Sequence, residues 1–292
     1  MVDDEGRPIS GARAGIGIGV VTSVGVEGKS DAQGIFVGQV TGWGGLGYGA
    51  DKPGYYDFHA GLDVRNVRRG PLYRWEPWNP TVIATLRPIL NPVPMYVRYV
   101  GMKIPSLMTK YGFDLEMGDY VGPHGRGAKP DVYFTIKYWM ERDGEKEIPI
   151  TSLKIEFPNE GDGILGHLED TSGGAKGSNF KLPRFAPESG YQGTWIEVYG
   201  GVGPKATWQR NTMQNYIFRV RTRLDENGQV KSALYGKIRG YFTYQYRPDQ
   251  SSDLFFTYYL NPDGTRNLEF DPSRNLFKGR KYILDRDLVG VP

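Results

Sequence analysis

Apolar and polar residues alternate with a period of two along much of this chain, and short turns rich in glycine and proline separate the alternating stretches. Residues 153–157 place an apolar side chain at every second position, which predicts a strand with one buried face. Residues 132–139 are rich in β-branched and aromatic side chains, which favour strands. We find no apolar stripe at helical spacing longer than about two turns. The pattern predicts an all-β protein.

Turn signals join the predicted strands in pairs. Residues 142–145 contain an Asp-Gly step and residues 225–228 read Asp-Glu-Asn-Gly, and both are typical of β-hairpins. Many short strands joined by such turns are typical of antiparallel β-sandwiches and jelly rolls. We therefore predict a β-sandwich followed by a larger antiparallel β-sandwich or jelly-roll-like domain.

A domain boundary is predicted at residues 91–94, which read Asn-Pro-Val-Pro. Two prolines within four residues cannot lie in a central strand, so they indicate a short and stiff connector. Residues 81–86, just before this connector, are predicted to form the last strand of the first domain. The predicted domains are residues 1–90 and residues 95–292.

Three motifs follow one another in the first third of the chain. Residues 4–12 contain an acidic Gly turn followed by Pro-Ile-Ser-Gly-Ala, residues 31–37 read Asp-Ala-Gln-Gly-Ile-Phe-Val, and residues 52–56 read Lys-Pro-Gly-Tyr-Tyr. In this order they resemble the carboxypeptidase regulatory-like domains, which are transthyretin-like β-sandwiches attached to secreted and cell-surface proteins. The resemblance implies a sandwich fold and an accessory role, and it implies no activity.

The second predicted domain also resembles known sequences. Residues 91–96, 112–127, 235–240 and 258–277 are similar to uncharacterised exported bacterial proteins that carry a regulatory-like domain at the N-terminus. This resemblance implies export to the periplasm, the outer surface or the extracellular space, and we expect the native leader to be absent from this sequence. No apolar run reaches the length of a membrane span.

Family members normally have a further strand before the acidic Gly turn, whereas Met1, Val2 and Asp3 alone precede it here. An unpaired sheet edge accepts a strand from another chain, because main-chain hydrogen bonds are replaced one for one. We therefore expect an open edge at residues 12–19. This edge would lead to self-association, unless a strand from later in the same chain covers it.

Charge and cysteine content exclude several classes of function. The chain has 36 basic and 33 acidic residues, a balance that does not suggest a nucleic-acid partner. It has no cysteine, which excludes disulfides, thiolate zinc sites and cysteine nucleophiles. The three histidines have no metal-ligand spacing and are interpreted as loop or surface residues: His59, His124 and His167.

Carboxylates in the second domain are the candidate catalytic residues. Asp114 and Glu116 would project from one face of a strand, and two facing carboxylates are the minimum requirement of a glycosidase. A solvent-facing edge is the competing interpretation, since catalytic pairs usually come from different strands. Asp162 is the third candidate. It also belongs, with Asn159 and Glu160, to an acidic Gly turn whose oxygens could bind calcium, with a plain turn as the alternative.

Aromatic residues of the first domain are the candidate ligand-binding residues. Flat rings offer apolar faces to sugar C–H groups, and interleaved Arg and Asn can bind hydroxyls. The alternative is that Trp75 and Trp78 fill a buried interface. The set is Trp43, Tyr48, Tyr73, Trp75 and Trp78. The alternating glycines at 15, 17 and 19 are expected to give one smooth face where another backbone or a ring packs closely.

These observations favour a non-catalytic exported β protein that acts by binding, with a polysaccharide or surface glycan as ligand, or by assembly. A carbohydrate-active or other hydrolytic enzyme, with a carboxylate site in the second domain, is the first alternative. An extracellular structural subunit is the second. No cofactor is expected apart from the calcium considered above.

Overall fold

The computed structural model of the protein describes residues 1–19, 24–42, 44–171, 176–200 and 211–292. Eighteen strands run through these residues, and Asp285–Asp287 form one turn of 3-10 helix. The described part of the chain contains no helix long and apolar enough to span a membrane. The predicted all-β class is confirmed.

The chain divides into two compact units. The first comprises Met1–Asn91 and Gly173–Lys181, and the second comprises Pro92–Ser172 and Leu182–Pro292. The division therefore lies within the predicted Asn-Pro-Val-Pro connector. The first unit also contains Gly173–Lys181, which comes from much later in the sequence. The two units are therefore not two continuous stretches of chain, as the predicted boundaries would make them.

The first unit contains one five-stranded antiparallel sheet with the strand order β13-β4-β3-β1-β2, and a separate hairpin of β5 and β6. Its strands are β1 (Arg13–Gly19), β2 (Val24–Lys29), β3 (Gly45–Asp51), β4 (Phe58–Leu62), β5 (Arg65–Arg69), β6 (Leu72–Glu76) and β13 (Lys176–Ser178). One face of the sheet packs on a small core. Its buried residues are Ile9, Ala12, Ala50, Phe58, Ala60, Ala84 and Leu86.

Two sequence-based expectations for this unit are wrong. Residues 81–86 do not form a strand, because their partner is the short N-terminal segment, and only Thr85 makes an isolated bridge to Val2. Residues 12–19 are not an open edge, because β1 pairs with β2 on one side and with β3 on the other. A strand from later in the sequence, β13, does join the sheet, and it pairs with β4.

The second unit is a sandwich of two larger sheets. One has the order β14-β11-β10-β8-β9 and the other β12-β15-β16-β17-β7-β18, in which only β18 and β7 pair in parallel among the described strands. The strands are β7 (Val93–Ile104), β8 (Tyr111–Asp114), β9 (Asp119–Tyr120), β10 (Val132–Asp143), β11 (Lys146–Glu156), β12 (Gly163–Leu168), β14 (Thr194–Gly200), β15 (Gln214–Leu224), β16 (Val230–Tyr246), β17 (Ser252–Asn261) and β18 (Phe270–Asn275).

An aromatic core lies between these two sheets, with Phe113, Phe134 and Tyr258 among its fully buried side chains. The local predictions for this unit are confirmed. The alternating stretch at residues 153–157 lies largely in β11 and turns Leu153 and Ile155 into the core. The two predicted hairpin turns join β10 to β11 and β15 to β16.

Candidate functional site

Two strands of the first unit have the same unusual sequence pattern. Residues 15–19 of β1 read Gly-Ile-Gly-Ile-Gly, and residues 45–49 of β3 read Gly-Leu-Gly-Tyr-Gly. The antiparallel register aligns the glycines in cross-strand pairs: Gly15 with Gly49, Gly17 with Gly47, and Gly19 with Gly45. Because directly opposite residues lie on the same face of a sheet, six glycines share one face. Ile16, Ile18, Leu46 and Tyr48 occupy the other face.

The flanking strands extend this surface. Gly25 of β2 lies opposite Gly17, and Gly61 of β4 lies opposite Gly47, so that one row crosses four strands without a side chain. At a strand spacing of about 4.8 Å, the row is about 14 Å long. A shallow cavity of about 750 Å³ lies over this face. We call it the glycine trough, with a floor formed by Gly15, Gly17, Gly19, Gly25, Gly45, Gly47, Gly49 and Gly61.

The fold itself does not require glycine at three positions of this floor. Gly45, Gly47 and Gly61 do not have a positive φ, so other residues could adopt their backbone conformation. A Cβ built on Gly45 would meet no atom within 4 Å, and one on Gly47 would meet only the Gly17 carbonyl oxygen, at 3.9 Å. Glycine inside a strand is destabilising and often marks a place where a ligand or another backbone approaches closely.

Glycines that pack against the opposite face of the sheet are different. A Cβ on Gly38 would lie 2.7 Å from Val26 Cγ1, and one on Gly42 would lie 2.6 Å from Ile18 Cγ2. Internal packing therefore explains Gly38 and Gly42, whereas it leaves Gly45, Gly47 and Gly61 unexplained.

Polar side chains surround the floor of the trough. Glu27 lies opposite Gly15 and His59 opposite Gly49, so a carboxylate and an imidazole flank one glycine pair. A Cβ on Gly15 would meet Glu27 Cγ at 3.5 Å, and one on Gly49 would meet His59 Nδ1 at 2.8 Å. The two exposed side chains thus lie over the glycines from opposite sides.

One end of the trough is bounded by an ion pair. Arg13 and Asp51 are cross-strand neighbours one row beyond Gly15 and Gly49, and Arg13 Nε donates to Asp51 Oδ1 at 3.0 Å. The other end, at Gly19 and Gly45, carries no side chain at its centre. The result is a flat floor of peptide groups, with hydrogen-bond donors and acceptors at its sides and at one end.

No sequence pattern indicates Glu27 as a site residue, and His59 is expected from the sequence to be a loop or surface residue. His59 is exposed, as expected, but it lies on β4 and over the trough. The smooth face expected at Gly15, Gly17 and Gly19 is present as one strand of the floor. The sequence does contain a signal for the trough, namely the Gly-x-Gly-x-Gly pattern in both β1 and β3. Once the two strands are paired in register, this pattern places their glycines on the same face of the sheet.

The predicted aromatic residues do not form one described cluster. Tyr48 is half-buried on the face opposite the trough, where its ring centroid lies 6.0 Å from that of Phe58. Trp78 is 61% exposed. Tyr73 and Trp75 lie on β6, opposite Arg68 and Asn66 of β5. Trp43 lies outside the described residues.

Asp114 and Glu116 are expected from the sequence to project from one face of a strand, and this expectation is wrong. Asp114 is the last residue of β8 and is buried, whereas Glu116 lies in the turn that follows. Asp114 Oδ1 accepts hydrogen bonds from the backbone N–H groups of Glu116 and Met117, at 3.1 and 3.0 Å. Its Oδ2 accepts hydrogen bonds from the backbone N–H groups of Ala128 and Lys129, at 3.0 and 3.2 Å. Asp114 is thus neither a solvent-facing edge residue nor a carboxylate with unused oxygens.

A single guanidinium brings these carboxylates together. Arg221 donates to both oxygens of the buried Asp131 at 2.7 and 3.0 Å, to Asp114 at 3.3 Å, and to Glu116. Burial alone would lower the pKa of Arg221, but the hydrogen bonds and charges of Asp131 and Glu116 outweigh it, so that the pKa is raised. Burial raises the pKa of Asp131 against the opposing effect of Arg221. We call Asp114, Glu116, Asp131 and Arg221 the Arg221 cluster.

Asp162 is also fully engaged by the fold. Its Oδ2 accepts hydrogen bonds from Asn159 Nδ2 at 2.9 Å and from the backbone N–H of Arg221 at 3.0 Å. Its Oδ1 accepts a hydrogen bond from the backbone N–H of Thr222 at 2.8 Å. Glu160 is exposed. Within the described ranges, no group of three or more His, Cys, Asp or Glu side chains is arranged to hold a metal ion. The calcium site at Asn159, Glu160 and Asp162 therefore stays a prediction.

Comparisons with known protein families, with curated proteins and with solved structures find no match to this chain. The resemblances to the carboxypeptidase regulatory-like domains and to exported bacterial proteins therefore stay predictions.

Proposed function

We propose that this protein is a non-catalytic, exported binding protein, and that the glycine trough binds a glycan. One observation carries the proposal. Gly45, Gly47 and Gly61 are exposed strand residues without a positive φ, and a Cβ on any of them would meet at most one backbone oxygen, at 3.8 Å or beyond. Glycine at these positions lowers strand stability without any benefit to internal packing, so an external partner is the reason we assign to it.

The chemistry of the trough suits a sugar. A floor without side chains lets one face of a pyranose ring lie directly on the peptide groups. Glu27 accepts hydrogen bonds from hydroxyls, His59 can both donate and accept, and the Arg13–Asp51 pair offers both kinds of group at one end. The cavity volume of about 750 Å³ lies in the range of small-molecule sites.

The hydrolase alternative has less support from the geometry. Asp114 and Glu116 contact one guanidinium, and Asp162 accepts three hydrogen bonds from the fold. A glycosidase needs one carboxyl group that donates a proton and a second that acts as base or nucleophile. Around the trough, Glu27 has no such partner among the described residues that flank the floor, since Asp51 is paired with Arg13.

The test is binding of the purified full chain to an array of neutral and acidic oligosaccharides, followed by calorimetric titration of the best ligand. We expect Gly47→Val to abolish binding without lowering the melting temperature, because valine fills the floor and favours a strand. Thr194→Val is the control, since it places valine at an exposed strand position of the second unit.

Two results would contradict the proposal. Release of reducing ends from the bound glycan would identify a hydrolase. A concentration-dependent dimer in sedimentation experiments, converted to monomer by Gly47→Val, would instead assign the trough to a second copy of this chain.

A further inference from the structure

The β5–β6 hairpin is one of the basic elements of the chain. The twelve residues Arg65 to Glu76 contain four arginines and one glutamate, a net charge of +3 that equals the net charge of the whole protein. The remaining 280 residues are therefore balanced in charge. The hairpin forms its own two-stranded sheet and does not pair with the five-stranded sheet. A concentrated positive charge on a separate element attracts anions.

Chain connectivity places the start of this hairpin near the Gly19–Gly45 end of the trough. β4 ends at Leu62, directly after Gly61 of the floor, and Leu62 pairs with Leu46, next to Gly45. β5 begins at Arg65, and the three intervening steps of chain span at most about 10 Å. The first residue of the hairpin therefore lies within reach of a polymer that extends beyond this end of the trough.

The register of the hairpin groups residues suited to an acidic sugar. Asn66 lies opposite Trp75, and Arg68 lies opposite Tyr73. Aromatic residues are of a type that can stack on a sugar, and an arginine can bind a carboxylate through two parallel hydrogen bonds.

Arg68 has donors that the fold does not use. Its side chain is exposed, and its Nε donates to the carbonyl oxygen of Gly70 at 3.1 Å. In the part of the chain that the structure describes, no carboxylate lies within ion-pair distance of Arg68. The neighbouring Arg65 differs, since it pairs with Asp63 at 2.9 Å.

We infer that the glycan of the trough is an acidic polysaccharide, whose carboxylate or sulfate groups contact Arg68 on the β5–β6 hairpin. This inference rests on the proposed function and names the ligand class of the same site. The net charge of the chain, +3, is small for a protein that binds a nucleic-acid polymer, so a polysaccharide is the polyanion that we assign.

The experiment compares polygalacturonate, which bears carboxylates, with its methyl-esterified form, which has the same backbone and few charges. Dextran sulfate and unsubstituted dextran form a second pair that separates sulfate from carboxylate. Titrations of the full chain are made at low and at high salt. We expect the acidic member of a pair to bind at least about tenfold more tightly, with an affinity that falls as salt rises.

The Arg68→Gln variant should lose about tenfold in affinity for the acidic polymer while keeping its melting temperature. Arg68→Lys should recover part of the loss, because it keeps the charge without the planar fork. Arg142→Gln is the matched control, since Arg142 is an exposed arginine on the β10–β11 hairpin. It should leave the affinity unchanged.

The outcomes separate this inference from the proposed function. Equal binding of charged and esterified polymers, with Arg68→Gln unchanged, would overturn the inference and leave a glycan-binding trough. Binding of neither polymer, together with no hit on the oligosaccharide array, would overturn both. Tighter binding of a single-stranded DNA oligonucleotide than of any acidic polysaccharide, with the same dependence on Arg68, would assign the hairpin to nucleic acid.

Discussion

Gly17 of β1 and Gly47 of β3 lie directly opposite each other, and the carbonyl oxygen of Gly17 is the only atom that a Cβ on Gly47 would approach within 4 Å. The peptide groups between these two residues are therefore open to solvent at the centre of the sheet face. A sheet selected for stability alone would carry β-branched side chains at such positions.

The first prediction concerns the stability cost of this arrangement. Gly47→Ala should raise the free energy of unfolding by about 0.5–1 kcal/mol, because alanine loses less backbone entropy on folding and meets no close neighbour at this position. Gly38→Ala is the matched control in the same unit and should be destabilising, since its Cβ would lie 2.7 Å from Val26 Cγ1. Urea denaturation of the three proteins checks both signs. A Gly47→Ala protein less stable than the parent would show that the fold itself needs this glycine.

The second prediction concerns the Arg221 cluster. Arg221→Gln should lower the free energy of unfolding by about 3–5 kcal/mol at neutral pH, because the buried Asp131 and Asp114 would lose their counter-charge. Arg247→Gln is the control, since it breaks a pair whose arginine is about half exposed, and should cost less than about 1 kcal/mol.

The pH dependence of the Arg221→Gln defect follows from burial. Burial already raises the pKa of Asp131 with Arg221 present, and removal of the guanidinium raises it further. A carboxyl group with a folded-state pKa above its unfolded value contributes stability that is present below the unfolded pKa and lost as pH rises through the folded pKa. The defect should therefore be smaller at about pH 5 than at about pH 8 in denaturant titrations. A defect that grows on acidification would contradict this account.

The third prediction concerns the acidic Gly turn. Asp162→Ala should destabilise the second unit by about 2–4 kcal/mol, because the N–H groups of Arg221 and Thr222 would both lose their acceptor. Glu160→Ala is the control, because Glu160 is exposed in the same turn. Thermal melts with calcium and with a chelator distinguish a plain turn from a cation site. A melting temperature that rises with calcium, and does so only with Asp162 intact, would favour the cation site.

The sequence predicts those features of the structure that depend on neighbouring residues, and it does not predict those that depend on residues far apart in the chain. The Asp-Gly turn at Gly144 and the alternation at Leu153 and Ile155 are local, and both were predictable. The Arg221 cluster joins residues 90 to 107 positions apart, so no local pattern could place Arg221 beside Asp131. The trough depends on the register of two strands about thirty residues apart, and only the repeated glycine pattern indicated it.

The last prediction compares the contributions to stability of Tyr48 and Trp78, the two residues of the expected ligand site whose exposure the structure describes. Trp78→Ala should change the free energy of unfolding by less than about 0.5 kcal/mol, because the side chain is mostly exposed. Tyr48→Ala should cost clearly more, on the order of 2–3 kcal/mol, because the ring packs on Phe58 and on the core of the first unit. Urea denaturation checks the order, and glycan titration of both variants adds a second measurement. If Trp78→Ala abolishes binding at unchanged stability, Trp78 contacts the ligand. If Tyr48→Ala leaves stability unchanged, Tyr48 is not the core residue that its position on the buried face of β3 indicates.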